Sequence, residues 1–139
     1  MLNLVIGGVL LVHGLGHGGA LGALLWIRLR PGSNTGDWIA ARTWLMPSLP
    51  AETSATLASA FWLAALVGFV IAALSFWGVV LPADAWQSVA VASAVVSMIG
   101  IVLFVGTWPA FNRVAAMAVN VAVLVAVWIH WPPQSVFGS

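Results

Sequence analysis

The sequence predicts an all-α integral membrane protein, an up-down four-helix bundle with a short interfacial helix in its first connection. Three observations predict it. Of the 139 residues, 63% are hydrophobic and 5% are charged, against about 45–50% and about 25% in soluble domains. Four stretches reach the roughly 20 apolar residues that cross a hydrocarbon core, at about Leu2–Ile27, Thr53–Trp77, Ala85–Thr107 and Phe111–Trp131. All seven prolines, which end helices by removing a backbone donor, fall outside these stretches. A surface this poor in charge could not be solvated, which excludes a soluble globular enzyme. Disorder needs the opposite composition. The whole chain, 1–139, reads as one transmembrane domain.

The first span lacks the basic flank of a signal peptide and is too long for its apolar region, so it reads as a true crossing. The connection that follows, Arg28 to Glu52, is the long one. Within it Asp37–Leu45 sets Trp38, Ala41 and Leu45 on one face, the pattern of a helix lying in the headgroup plane. Pro82 and Pro109 punctuate the next two connections, whose shortness forces antiparallel neighbours. Pro132 and Pro133 stop the last helix. Eight of the nine Trp (26, 38, 44, 77, 86, 108, 128 and 131) fall at expected interfaces, where an indole suits a boundary apolar on one side and wet on the other. Trp62 is the exception, roughly 14 Å into the bilayer at 1.5 Å per residue, and its indole N–H needs a partner there. Arg28, Arg30, Arg42 and Arg113 flank the first and third connections. The positive-inside bias then places both termini outside the cytoplasm of a cell's inner membrane.

Helices in lipid hold together by close backbone approach, and each span offers small residues for it. The first has Gly14, Gly18 and Gly22, a doubled GxxxG; the second Ala60, Ala64, Gly68 and Ala72; the third Ala90, Ser93, Ser97 and Gly100; the fourth Ala118, Ala122 and Ala126, with His130 beyond. The glycine stripe is expected to pack inside the bundle, a homodimer face being the alternative.

Ionisable groups inside a membrane are costly and mark functional sites by default. Here they are His13 and His17, one helical turn apart on one face, joined by the polar Asn120 in the fourth span. Antiparallel alignment sets Asn120 near the depth of His17, so the three form a candidate binding cluster. Both imidazoles share a helix, and His130 lies about 13 Å away along the axis, so they cannot grip one haem from opposite sides. A haem shared across a dimer, or a quinone carbonyl met by a single imidazole, remain as cofactor readings, although none is needed to explain the pattern. Two imidazoles and an amide are a poor zinc or di-iron set. The plain structural reading has neutral imidazoles bonded to Asn120, to each other or to backbone, fixing helix register. There is no Cys and no Lys, which removes thiol chemistry and, with no basic cluster, a nucleic-acid partner. No nucleophile–base set or phosphate loop occurs, so no catalytic residue is named.

The opening GGVLLVHGLGHGGALGALL resembles the first span of DoxX-like small membrane proteins, a Gly-rich helix with a Gly-His pair. FWLAALVGFVIAALSFWG and WQSVAVASAVVSMIGIVLF are similar to uncharacterised bacterial four-span proteins of this length. The resemblance implies, among other roles, a membrane subunit of a quinone-linked oxidoreductase, but the deep acidic or Arg residues of a quinol-oxidising subunit are missing. Small multidrug transporters share the size and depend on an intramembrane carboxylate, which this chain lacks. Three functions follow as expectations: a non-catalytic accessory or scaffold subunit packed against other membrane subunits or a second copy; a quinone- or cofactor-binding redox subunit using His13, His17 and Asn120; and a small-solute or ion pathway gated by the two histidines.

Overall fold

Four helices run in sequence order in the computed structural model, which describes residues 1–30, 32 and 42–131. They are α1 (Leu2–Leu29), α2 (Ala51–Phe76), α3 (Trp86–Leu103) and α4 (Ala110–Trp128), with a single 3-10 turn, Ala83–Ala85, ahead of α3. The protein is all-helical among the described residues, and each of the four, counting the 3-10 turn with α3, is long and apolar enough to cross a membrane. It is a multi-pass membrane protein. Of the expected interfacial helix, residues 37–41 lie outside the described residues, and residues 42–45 carry no helix.

Helix ends explain the differences from the expected spans. α2 stops at Phe76 because Gly78 takes a left-handed backbone, φ +70°. Its N–H reaches Ser75 O and the next N–H, Val79, reaches Leu74 O, so the last turn's carbonyls are capped within the chain. α4 was expected to reach Trp131 but ends at Trp128 in the same way: His130 N–H bonds Val127 O and Trp131 N–H bonds Ala126 O. Here the left-handed position is His130, φ +55°, where glycine would be unstrained. α3 was expected to run to Thr107 and ends at Leu103, where Phe104 leaves helical geometry at φ −116°, ψ 48° and its N–H makes the last bond, to Gly100 O. The chain turns over residues 104–109 and folds Phe104, Thr107 and Trp108 inward.

Each helix packs along its sequence neighbours, α1 on α2, α2 on α3, α3 on α4, while α1 and α4 have almost no close backbone approach. The buried set of α1 includes Leu10, Gly14, His17 and Leu24, and that of α3 includes Trp86, Ala90, Ser93, Ser97 and Gly100. These alternate three- and four-residue steps, the seam of helices packed about 20° off antiparallel. α4 buries only Ala116, Asn120 and Val123. Its expected stripe of Ala118, Ala122 and Ala126 faces outward or is only partly covered.

The glycines at helix contacts are not the expected set. A Cβ on Gly14 would stand 3.0 Å from Phe69 Cβ and 3.2 Å from Leu66 O, so Gly14 does bring α1 onto α2. Gly18 has ordinary room, and Gly22 is exposed with nothing within 4 Å. Gly22 therefore makes no close contact inside the bundle. Tight approach occurs instead at Gly7 under the Trp77 indole, Gly68 against the Ser93 hydroxyl, and Gly100 at 3.0 Å from Phe61 and Trp62.

One end of the bundle gathers the arginines. Arg28 pairs with Glu52 across α1 and α2 at 3.1 Å, Arg30 lies 4.1 Å over the Trp26 ring, and Arg113 bonds Val105 O. At that end Trp44 donates its indole N–H to Val102 O at 2.7 Å, and Thr43 N–H reaches Ser54 Oγ at 3.2 Å. Trp62, Trp86 and Trp108 are buried within the bundle.

Candidate functional site

A polar chain crosses the bundle interior using side chains from three helices. His13 on α1 lies 2.8 Å through Nε2 from Asn120 Oδ1 on α4. Asn120 Nδ2 donates to Ser97 Oγ on α3 at 2.7 Å, and Ser97 Oγ is 3.1 Å from His17 Nε2, back on α1. His17, Ser97 and Asn120 are fully buried, whereas His13 is partly exposed. Charge is costly at this depth, and both rings are best read as neutral.

Local packing fixes each member. The close approach at Gly14 lets α1 seat His17 between two α2 rings, parallel to Trp62 (centroids 5.8 Å, 13°) and to Phe69 (6.1 Å, 5°). Trp62 and Phe69 are two helical turns apart on α2. Phe69 also meets His13 edge-on at 4.6 Å, and Trp108 lies 5.3 Å from His17. Ser97 differs from its neighbour a turn earlier. Ser93 donates to Val89 O, as Ser59 and Ser75 also do to their own helices, which keeps a hydroxyl satisfied locally. The Ser97 hydroxyl instead turns across the bundle.

The sequence candidates His13, His17 and Asn120 thus come together, with one change: Asn120 bonds His13, and reaches His17 only through Ser97. Sequence reasoning took Ser97 for a packing residue and did not single out Phe69. A serine on the buried stripe of a neighbouring span, at a depth that already held three polar groups, was the available signal for the first. His17 Nδ1, Trp62 Nε1 and Thr107 Oγ1 are buried without a hydrogen-bond partner. Among the described residues no group of three or more His, Asp or Glu gathers at a metal-ligand spacing.

Because α1 and α4 stand apart, a lateral groove of about 650 Å³ opens between them toward the lipid. Leu4, Gly8, Val12, Phe111 and Ala115 are among the residues lining it, with His13, Gly16 and Trp108. Gly8 and Gly16 have no atom within 4 Å of where a Cβ would stand, so their missing side chains make the space. The His13–Asn120 hydrogen bond ties α1 to α4 behind it. The volume lies within the roughly 300–1,000 Å³ of small-molecule sites, and the wall, apolar with a few polar groups, has their usual character. No family model, curated protein or solved structure matches this chain.

Proposed function

We propose that this protein is a ligand-binding membrane subunit that takes a lipid-soluble molecule of quinone-like chemistry, a flat apolar body with a hydrogen-bonding head, into the groove between α1 and α4. The observation that carries this reading is the placement of His13. The ring lines the groove while Asn120 occupies its Nε2, so Nδ1 is left for the head of whatever fills the space. Gly8 and Gly16 make room for the body, and Trp108 offers an aromatic wall. Entry is sideways from the bilayer, so the ligand need never cross water. The likeness of the first helix to DoxX-like proteins agrees with this reading. In the proposed setting, a cytoplasmic membrane, the arginine-bearing end faces the cytoplasm and both termini face outward.

Titration of the detergent-solubilised protein with a short-chain benzoquinone, read by quenching of intrinsic Trp fluorescence, tests it. Saturable quenching is expected in the wild type and in Gly22→Leu, whose position is exposed and away from the groove. It should weaken at least tenfold in His13→Leu and in Gly16→Leu, which fills the groove without touching the fold. Equal quenching of all four proteins would mean partition into the micelle and would end the proposal.

A second reading, an accessory subunit of a larger membrane complex, is favoured by α4. That helix buries three residues and packs closely only on α3, which leaves an apolar flank for another subunit or a second copy. A partner that copurifies in stoichiometric amount in mild detergent would support it; a lone monomer would count against it.

A further inference from the structure

The four polar side chains form one unbranched line, His13–Asn120–Ser97–His17, and hydrogen-bond chemistry allows that line only two consistent directions. As the amide stands, His13 Nε2–H donates to Asn120 Oδ1, Asn120 Nδ2–H donates to Ser97 Oγ, and the Ser97 hydroxyl donates to His17 Nε2. His13 Nδ1 is then a bare acceptor toward the groove, and His17 carries its proton on Nδ1. An Asn side chain offers its oxygen and its NH2 at nearly equivalent positions. Half a turn of the amide reverses every link: Asn120 donates to His13 Nε2, Ser97 donates to Asn120 Oδ1, and His17 Nε2–H donates to Ser97 Oγ. His13 Nδ1 then bears a proton and presents a donor to the groove. Any mixed arrangement sets a donor against a donor or an acceptor against an acceptor along the line, or leaves the Ser97 hydroxyl without an acceptor, and such mismatches are costly. Off the line, His17 Nδ1 has no partner in either direction, as an N–H in the first and as a bare acceptor in the second.

We infer that His13 and His17 hold opposite, coupled tautomers, and that the groove therefore accepts both members of a carbonyl–hydroxyl pair, a quinone and its quinol. A quinone oxygen selects the direction in which His13 Nδ1–H donates. A quinol hydroxyl selects the one in which Nδ1 accepts. His17, fully buried and walled by Trp62 and Phe69, is the far end of the line and changes tautomer with each reversal. No proton leaves the protein in the exchange. The hydroxyl rotates, the amide turns, and each ring moves its own proton between its nitrogens, His13 by way of the ligand's head and His17 by way of a transient water. The inference rests on the groove reading for its ligand, but the coupling of the two rings stands on the hydrogen-bond line alone.

Solid-state NMR of protein labelled with 15N-histidine, in lipid bilayers, reads which ring nitrogens bear protons. His130→Gln removes the third histidine signal. Opposite tautomers on His13 and His17 are expected without ligand; the same tautomer on both would overturn the inference. Added short-chain benzoquinone should raise the Nδ1–H form of His13, and the hydroquinone made from it should raise the Nε2–H form. His17 should shift oppositely each time, with the two ligands binding within a hundredfold of each other. If His13 responds and His17 does not, or if one form binds more than a hundredfold weaker, the inference fails while the groove reading survives. If neither ligand perturbs His13, the groove reading fails as well. Ser97→Ala, a change of one oxygen, should leave His13 following the ligand and release His17 from it; continued coupling in that variant would also overturn the inference.

Discussion

Asn120→Leu is the perturbation that asks most of the polar chain. The substitution keeps the branching at Cγ while adding bulk, and removes two hydrogen bonds, of 2.8 Å to His13 and 2.7 Å to Ser97. Inter-helix hydrogen bonds in membranes average about 0.6 kcal/mol and reach about 1.7 by double-mutant cycles. Both bonds here are short, and Asn120 and Ser97 are fully buried, so each belongs in the upper half of that range, at about 1–1.5 kcal/mol. The single variant costs more than their sum would suggest, because it leaves His13 and Ser97 with unmatched polar atoms at about 1 kcal/mol or more each. The cycle His13→Leu with Asn120→Leu, and the cycle Ser97→Ala with Asn120→Leu, isolate the pair terms. SDS titration in mixed micelles, followed by Trp fluorescence, gives the unfolding free energies. A coupling of about 1 kcal/mol is expected in each cycle, and values within about 0.3 of zero in both would refute the claim that this chain joins α4 to the bundle. Ser93→Ala is the internal control. Its hydroxyl serves Val89 O on its own helix, and its coupling to Asn120 should vanish.

The remaining outcomes are checked by the same unfolding assay or by labelling. Gly7→Ala drives a methyl into the Trp77 indole, which also donates to Asn3 O, and should cost about 1–3 kcal/mol as overpacking does; Gly22→Ala, in open space, should instead stabilise by up to about 1 kcal/mol. His130→Gly relieves the left-handed backbone at the end of α4 and should stabilise by about 1 kcal/mol, since that conformation costs an L-residue about 1–2. Glu52→Gln removes an ion pair whose side chains are 72% and 79% exposed, and should change stability by less than about 1 kcal/mol. The chain has no cysteine, so Asp84→Cys and Arg113→Cys are single labels at opposite ends of the bundle. An impermeant maleimide applied to whole cells should modify the first and spare the second, and the reverse pattern would invert the proposed orientation.

Fold class was legible because it depends on bulk quantities. Four long apolar runs separated by proline admit few alternatives in lipid, where every backbone polar group must be satisfied internally. The helix faces were legible only where the right period was used. On α3 the stripe Ala90, Ser93, Ser97, Gly100 alternates four- and three-residue steps and matches the buried face. On the other helices the stripes were drawn in uniform steps of four, each of which overshoots a full turn by about 40°. From Gly14 to Gly22 the drift reaches about 80°, enough to carry Gly22 off the contact and into open space. Ala60 and Ala64 on α2, and Ala118 and Ala122 on α4, are exposed for the same reason. Gly7 and Gly14 are seven residues apart, drift by only about 20°, and both lie buried in the seam. The true glycine contact was therefore present in the sequence at heptad spacing, beside a more conspicuous motif of the wrong period.

The polar site shows the same dependence on geometry at a finer scale. That His13, His17 and Asn120 share a depth follows from counting residues, but which of them touch does not. Two histidines a turn apart on one helix meet different neighbours: the seam carries His17 inward between Trp62 and Phe69, and leaves His13 at its edge, beside the gap where α1 and α4 fail to close. The gap itself follows from sequential packing, since each helix is held by its chain neighbours and nothing but side chains joins first to last. A four-helix chain of this kind has one open seam, and the residues bordering it decide its use. Here they are Gly8 and Gly16, which cede volume, and His13, whose second nitrogen is free to face it. Replacing His13 by Leu would leave the groove open and remove the one imidazole that lines it, so a ligand held by shape alone would bind both proteins equally. A loss of affinity of tenfold or more, about 1.4 kcal/mol, is what a hydrogen bond to that nitrogen requires.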